Sequence, residues 1–559
     1  MSKKKTVVAI GLDAADPSAV EQWISEGKLK NLRKLRDRGV FADLDNFEYP
    51  SAEGPWTTFL TGCSPQKTGF WQYYDFLEKS YGIHSFGAYD FKEFPPFYAV
   101  GDSHKVAIFD MPQTRFSDKV NGIDIHAWGS HAPMHESASQ PAELYQDITE
   151  KHGPHPLLHD DYLEALRSPD QLERFKDLLQ VGIERRTAIC KDLLKQEDWD
   201  LFLTIFSETH SAGHGFWHFK YPDHPLYDHI KNRVAGDPLY EVFQKVDEAV
   251  GEIIDNCPED ADIVVFSVHS MGSNSMDLPS IVFLPEFLYR YSFPGQAALT
   301  NNTSKSPLKS PFLRSKDWVL DIWRTVNDPN PIRRFLRRRC PYRLIKHVDS
   351  LLGVPSNPNL VPPYELRRMD DAGEIDAVPY QPASWFTFLW PDMKAFALPS
   401  FSEGYIRINL KGREAKGKVD ASEYDSVCEE LTGKLMKLTD PRSGAKLVKE
   451  VVRTRQDPYT QDQKLPNADL IVVWNKECST DVVDSAEYGR IGPFHHYRGG
   501  SHRPNGFMLA AGPNIPKESD KLEGHVMDMA PTILNLMDAE VPEYLEGESL
   551  LKAPSATLA

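Results

Sequence analysis

The sequence predicts an α/β fold built on a doubly wound, mostly parallel sheet with helices on both faces. Two observations carry this prediction. Apolar runs of strand length alternate with stretches of helical periodicity, as at 6–13 and 200–206. Each run is followed by a polar or charged residue, and open α/β sheets place their ligands at that end of their strands. A chain of 559 residues is long enough for one large domain with insertions.

The predicted elements follow one another in α/β order. Strands rich in Val, Ile, Leu and Phe are predicted at 6–13, 105–110, 200–206, 261–269, 404–410, 469–474 and 507–511. Helical periodicity predicts helices at 18–27, 56–62 and about 169–196. A segment rich in Trp, Tyr and Phe at 71–98 is expected to cover the sheet as loops. From about 275 to 400 the alternation stops, which predicts an insertion within a single catalytic domain of 1–559.

The charge and residue composition of the chain restrict its binding partners and its location. A net charge of −18 and a pI near 5.5 argue against nucleic acid or an anionic membrane as the main partner. Six scattered cysteines without a CxxC pair indicate reduced thiols, so a cytoplasmic location is expected. No segment reaches the apolar length needed to span a bilayer. The composition does not determine the oligomeric state.

An arginine-rich stretch at 333–343 admits two interpretations. A helix with several arginines and apolar residues can face an anion or a membrane surface. A block of charge can equally belong to a solvated insertion helix, which is the interpretation favoured here.

The most informative stretch is ETHSAGHGFWH at 208–218, which follows the predicted strand at 200–206. His210 and His214 are four residues apart, so one helical turn would place both imidazoles on the same side. Two histidines on one face of a helix are a common way to donate to a metal ion. The small residues Ala212 and Gly213 leave that turn uncrowded.

Other predicted strands also end on residues that bind metals. Asp13 follows the first strand, His269 ends the strand at 261–269, and His502 precedes the strand at 507–511. Carboxylate and imidazole groups from distant positions, gathered at one edge of a sheet, suit a Zn, Fe or Mn centre.

With these pieces in place, the chain resembles the alkaline phosphatase superfamily, in its type I phosphodiesterase and nucleotide pyrophosphatase branch. The motifs that carry the resemblance run from the first strand to the last helix. They are VVAIGLDAAD, PWTTFLTGCSPQKTG, ETHSAGHGFWH, FSVHSMGSN, GSHRPNGFMLAAGP and DMAPTILNLM.

The resemblance implies a phosphate ester or diester hydrolase with two divalent metal ions, in which a Ser or Thr attacks the phosphorus. The substrate would be a small anionic molecule, with sulfate or phosphonate esters also possible. By position, Asp13 and His269 would bind the ion shared with the nucleophile, and His210, His214 and His502 would bind the other. Arg503, beside His502, would offer its planar guanidinium to the anionic group of the substrate.

Three positions depart from the family pattern. The family has Asp where His210 stands and a further Asp where Val268 stands, and its nucleophile position falls on Ala52. A shift of one residue would place Ser51 at the nucleophile position, and Glu53 beside it could restore the oxygen ligand lost at Val268; the sequence leaves both roles open. The leading interpretation is therefore a hydrolase in which Ser51 or a water molecule attacks.

The alternative is a dimetal enzyme, for example an iron enzyme, of a non-hydrolytic class such as an oxygen-dependent oxidoreductase. A set of three neutral histidines suits Zn, Fe or Cu better than a carboxylate-containing set does. The choice between the two interpretations rests on Ser51 against Glu53.

Overall fold

The computed structural model describes residues 5–52, 54–129, 136–158, 167–300, 317–328, 330–341, 344, 347, 351, 360–518 and 520–551. Glu53 and Arg343 lie outside the described residues.

Strands and helices alternate along most of the described chain. The strands are β1 (Val7–Leu12), β2 (Val40–Asp45), β3 (Tyr74–Leu77), β4 (Gly82–Ser85), β5 (Val106–Phe109), β6 (Gly122–His126), β7 (Ala138–Gln140), β8 (Leu201–Phe206), β9 (Asp262–Ser267), β10 (Ser270–Ser273), β11 (Ala395–Leu398), β12 (Gly404–Ile408), β13 (Val448–Arg453), β14 (Leu470–Trp474), β15 (Val483–Ser485), β16 (Gly489–Ile491), β17 (Gly500–Arg503), β18 (Asn505–Ala511) and β19 (Leu522–His525).

The α-helices are α1 (Pro17–Ser25), α2 (Lys30–Arg38), α3 (Pro55–Thr61), α4 (Pro65–Thr68), α5 (Leu144–His152), α6 (Pro169–Leu194), α7 (Glu208–Lys220), α8 (Tyr227–Ile230), α9 (Pro238–Ile254), α10 (Leu284–Ser292), α11 (Trp318–Trp323), α12 (Pro331–Arg339), α13 (Pro363–Asp371), α14 (Tyr424–Leu435) and α15 (Met529–Met537). None of the helices in the described ranges has both the length and the apolar character needed to cross a bilayer.

The largest sheet has nine strands in the order β19–β2–β18–β9–β1–β8–β5–β6–β7. Its centre is parallel: β1 pairs with β8 and β9, and β5 pairs with β8 and β6. β18 runs antiparallel between β9 and β2. Every residue of β1, β8 and β9 is buried, as expected for strands covered on both faces.

Helices cover both faces of this sheet, which confirms the predicted doubly wound architecture. One core packs side chains of α1, α2, α6 and α9 against β1, β8 and β9. The core on the opposite face is formed by α3, by Met529–Met537 and by aromatic residues between Tyr89 and Tyr98. The parallel strands of the sheet end at a single edge, and the polar residues that follow them meet there.

A second sheet, antiparallel and in the order β11–β12–β14–β13, lies outside the large one. The strands predicted at 404–410 and 469–474 belong to this sheet. Its core runs from Met276 to Tyr497 and includes side chains between Trp71 and Ile83. The predicted insertion at 275–400 falls within this unit, and its boundaries stay a prediction.

Candidate metal centre

Helix α7 positions two of the predicted ligands. It begins at Glu208, directly after the sheet strand β8, and its residues up to Phe219 are buried. Small residues allow this burial: a Cβ on Gly213 would lie 2.9 Å from Met271 Cε, and one on Gly500 would lie 2.6 Å from the Gly213 carbonyl oxygen. The two glycines therefore let α7 pack closely against the antiparallel strand pair β10–β17.

This close packing brings three histidines together. The Nε2 atom of His210 lies 3.0 Å from Nε2 of His502 and 3.2 Å from Nε2 of His214. All three side chains are buried, and their ligand atoms lie within 4.8 Å of one another. Nitrogens that share one tetrahedral zinc ion at 2.0–2.1 Å are separated by about 3.3 Å. The spacing of the three imidazoles fits a single ion.

The hydrogen bond of His214 fixes its tautomer. Its Nδ1 atom lies 2.7 Å from the carbonyl oxygen of Gly500. A carbonyl oxygen can only accept, so Nδ1 carries the hydrogen, and in the neutral ring Nε2 presents a lone pair to the triad. Metal-bound histidines commonly have such a partner on the other ring nitrogen.

Asp13 and His269 lie beside the three histidines. The His269 Nε2 atom is 3.6 Å from Asp13 Oδ1, and both side chains are buried. The His269 ring centroid is 4.7 Å from that of His502, which joins the two sets. Asp13 is held at the end of β1 by its backbone, which bonds to Phe206 and accepts from the Thr209 hydroxyl. The structure thus brings together five of the predicted site residues.

Ser51 lies in the loop before α3, with its hydroxyl turned to a buried carboxylate. Its Oγ donates to Glu403 Oε1 at 2.7 Å, and its backbone nitrogen donates to Oε2 at 3.2 Å. Burial raises the pKa of Glu403, and the hydrogen bonds from Ser51 partly offset that effect. A carboxyl group with a raised pKa is suited to accept a proton near neutral pH. Sequence reasoning did not find Glu403, which is 352 positions from Ser51 in the chain.

Arg503 is half-buried and is engaged with the backbone. Its guanidinium donates to four carbonyl oxygens, on Ser501 (3.3 Å), His502 (2.9 Å), Ser273 (2.7 Å) and Lys476 (3.0 Å). Burial lowers the pKa of Arg503 to about 10. These bonds secure the β17 strand that carries His502, while the substrate contact of Arg503 stays a prediction.

Arg498 is a further arginine at the centre, and sequence reasoning missed it. Its Nη1 atom lies 3.0 Å from His214 Nε2, and Asp277 accepts from its Nε and Nη2 at 2.9 and 2.8 Å. The guanidinium also lies over the ring of Phe401, 5.0 Å from its centroid. The one local signal is the following Gly499–Gly500 pair, which marks a close approach of backbone to α7.

A buried ion-pair network supports the start of α7. Arg186 pairs with Asp110 at 2.8 Å and with Glu208 at 3.1 Å, and His155 lies 3.3 Å from Glu208. Burial raises the pKa of Glu208, but Arg186 and His155 bring it below its usual value. The Glu208 carboxylate therefore contacts Arg186 and His155.

The comparison with family models decides the relationship. The model of type I phosphodiesterase / nucleotide pyrophosphatase matches residues 7–311, which is more than half of the chain. The chain belongs to this family. The family resemblance predicted from the motifs is therefore confirmed, and the family includes phosphodiesterases and pyrophosphatases. A comparison with curated proteins gives no significant match.

Several solved structures match this chain over nearly its whole length. Phosphonoacetate hydrolase from Sinorhizobium meliloti 1021, in complex with phosphonoformate, has a TM-score of 0.44 and 12% identity, with 96% of each chain covered. Murine ectonucleotide pyrophosphatase / phosphodiesterase 5 has a TM-score of 0.45 and 12% identity, also with 96% of each chain covered. The alkaline phosphatase PafA has a TM-score of 0.48 and 11% identity, with 98% of each chain covered.

Proposed function

We propose that this protein is a metal-dependent hydrolase of a phosphate ester or diester. The observation that carries the proposal is the convergence of three buried Nε2 atoms at 3.0 and 3.2 Å beside the Asp13–His269 pair. His210, His214 and His502 would hold one divalent ion, and Asp13 and His269 would hold a second. Zn, Fe or Mn fits this donor chemistry. Such ions stabilise the negative charge that develops on a phosphoryl group during displacement.

The residues around the ions have separate tasks in this proposal. Arg498 binds the anionic group of the substrate, because its guanidinium is at the triad and is oriented by Asp277. Ser51 attacks phosphorus through Oγ, and its proton passes to Glu403 Oε1, which already accepts it at 2.7 Å. The bond from phosphorus to the leaving alkoxide then breaks, and the alkoxide takes up the proton that Glu403 accepted. Water next hydrolyses the phosphoserine, which releases the phosphate product and restores the Ser51 hydroxyl. The substrate is a small anionic molecule, and the six free cysteines fit a cytoplasmic site of action.

One observation favours a second candidate function. The triad consists of three imidazoles, and Ala52 and Val268 lack the polar groups that the family pattern has at those positions. A site that has lost these groups could support the non-hydrolytic, oxygen-dependent chemistry of an iron enzyme instead.

Metal reconstitution tests the proposal. The purified protein is analysed for metal, stripped with a chelator and reloaded with Zn, Mn or Fe(II). Turnover is measured on bis-nitrophenyl phosphate, nitrophenyl phosphate and nitrophenyl sulfate. Phosphoester turnover should disappear with the metal and return on reloading. Ser51→Ala should lower kcat by several orders of magnitude, because it removes a covalent step, whereas Glu53→Ala should be milder.

Two controls accompany this experiment. His214→Ala should lose the ion of the triad, since two neutral ligands seldom retain a metal. His229→Ala, at an exposed position on α8, should keep both metal and turnover. Metal-loaded protein without turnover on any ester, together with metal loss in Glu53→Ala, would exclude the hydrolase and leave the second candidate.

A further inference from the structure

Helix α12 is amphipathic in the reverse of the usual sense. Two of its three large apolar residues point to solvent: Ile332 is 67% exposed and Phe335 is 61% exposed, whereas Leu336 is half-buried. Its buried residue is an arginine, Arg337, whose side chain is 1% exposed. A surface helix normally buries its apolar stripe and exposes its charges. The outward side of α12 therefore carries apolar area that nothing in the described part of the chain covers.

The buried side of α12 explains why it holds this orientation. The Asp328 carboxylate forms ion pairs with two arginines of α12. Its Oδ2 atom lies 2.9 Å from Arg333 Nε and 3.3 Å from Arg337 Nη1. The Arg337 guanidinium also lies over the Trp323 ring, 5.2 Å from its centroid. A buried guanidinium is costly to leave without its carboxylate, so these contacts fix which side of the helix faces inward.

Positive charge surrounds the exposed apolar residues. Arg338 and Arg339 are exposed and Arg334 is half-buried, all on the same helix as Phe335. From Pro329 to Val348 the sequence contains no Asp or Glu, but it contains Arg333, Arg334, Arg337, Arg338, Arg339, Arg343 and Lys346. The chain as a whole has a net charge of −18. This cationic stretch is therefore opposite in sign to the rest of the molecule.

The apolar exposure continues beyond the helix. Leu344 is 46% exposed and Leu351 is 71% exposed. Nine large hydrophobic residues are exposed in the described part of the chain, and four of them lie between Ile332 and Leu351. Scattered exposed apolar residues are ordinary, but a concentration of them marks an interaction surface.

We propose that this surface, defined by Ile332, Phe335, Arg338, Arg339 and Leu344, docks on an anionic lipid bilayer. Apolar side chains of an interfacial helix enter the boundary of head groups and acyl chains, while arginines beside them contact lipid phosphates. Exposed basic residues on such a helix attract anionic lipids. A second copy of this chain is a poorer occupant, since it would bring another net charge of −18.

Vesicle co-sedimentation of the full chain tests this proposal. Phosphatidylcholine vesicles are compared with vesicles that contain phosphatidylserine in part. The wild-type protein should sediment with the anionic vesicles, less so at high salt, and should stay in solution with the zwitterionic ones. Arg338→Glu with Arg339→Glu should weaken binding by about twentyfold or more, because each basic residue contributes about 1 kcal/mol at such a surface.

Matched variants separate the apolar and charge contributions. Ile332→Ser with Phe335→Ser should weaken vesicle binding by roughly tenfold or more, because both side chains lose their burial in lipid. The control Phe116→Ser changes an exposed phenylalanine elsewhere. Arg174→Glu with Lys195→Glu makes the same charge change as the arginine pair at exposed positions of α6 and its C-cap. Both controls should bind as the wild type does.

Three results would overturn the proposal. One is the absence of anionic-vesicle binding at low salt. Another is binding that the paired substitutions leave unchanged. The third is a concentration-dependent dimer in lipid-free solution that Ile332→Ser with Phe335→Ser abolishes, because the surface would then join two copies of the chain.

Discussion

The Arg498 guanidinium contacts both the carboxylate of Asp277 and the imidazole of His214. Asp277 accepts from two of its nitrogens, which holds the guanidinium plane in place, and the remaining Nη1 lies 3.0 Å from His214 Nε2. A planar, oriented guanidinium is the group best suited to bind a phosphate with two hydrogen bonds. Arg503 donates to four backbone carbonyl oxygens, so it has fewer donors to offer a substrate.

Substitution by lysine separates the two arginines. Arg498→Lys should raise the apparent KM for a nitrophenyl phosphodiester by roughly tenfold or more, with a smaller change in kcat, because the fork geometry is lost. Arg503→Lys should instead lower the melting temperature, since four backbone oxygens lose their donor. Steady-state kinetics, metal content and thermal unfolding of both variants provide the comparison. A raised KM in the Arg503 variant alone would assign the anion to Arg503, as the sequence predicted.

At the residue scale, the residues that converge were predictable where spacing or position along a strand determines where a side chain lies. His210 and His214 share a helical face by spacing, and Asp13 and His269 follow neighbouring parallel strands. Glu403 and Arg498 act through partners that are distant in the chain, 352 and 221 positions away. No local pattern encodes such contacts, because they depend on how the second sheet packs against the first.

At the element scale, the convergence of His210, His214 and His502 depends on the contact between α7 and the antiparallel strand pair β10–β17. Gly500 lies at this contact, and its carbonyl oxygen also accepts from His214 Nδ1. The Cβ of an alanine there would lie 2.6 Å from the Gly213 carbonyl oxygen. The atom at this distance belongs to the backbone, which cannot move aside as a flexible side chain can. The strand β17 would therefore have to move away from α7.

Gly500→Ala should therefore lower metal affinity by about 10- to 100-fold, the usual effect of disturbing the hydrogen-bond partner of a ligating histidine. Metal titration monitored by calorimetry measures this change. Gly433→Ala is the matched control, since Gly433 is in the helix Tyr424–Leu435 and a Cβ there meets nothing within 4 Å. It should leave metal binding unchanged and stabilise the protein by roughly 0.5–1 kcal/mol. Equal metal affinity in both variants would show that the contact between α7 and the strand pair β10–β17 does not support metal binding.

Among the elements, the central strands were predictable because their apolar runs are long and uninterrupted. The direction of β18 was not predictable, since the run FMLAA within it suits either orientation, and the structure pairs β18 antiparallel to β9. The second sheet was also missed as a separate unit. Its strands have the same composition as those of the main sheet, and the sequence does not show which partners they pair with.

At the scale of the whole molecule, several buried histidines couple stability to pH. Burial lowers the pKa of His495 to about 4, and it also lowers the pKa of His496 and His525. The pKa of His224 is far below its ordinary value for the same reason. In the unfolded chain these rings titrate near pH 6.5. The folded state therefore binds fewer protons than the unfolded state between about pH 4 and pH 6.5.

The sign of the effect follows from proton linkage. A group with a depressed folded-state pKa stabilises the protein above its unfolded pKa, and this stability is lost as the pH falls toward its folded pKa. His495 alone should account for about 2–3 kcal/mol between pH 7 and pH 4. His495→Gln cannot take up the proton, so its free energy of unfolding should fall less steeply with acid than that of the wild type. Denaturant unfolding at half-unit pH steps measures both slopes. The control His229→Gln changes an exposed histidine and should follow the wild-type slope. If the slope of His495→Gln equals that of the wild type, His495 takes up no proton on acid unfolding.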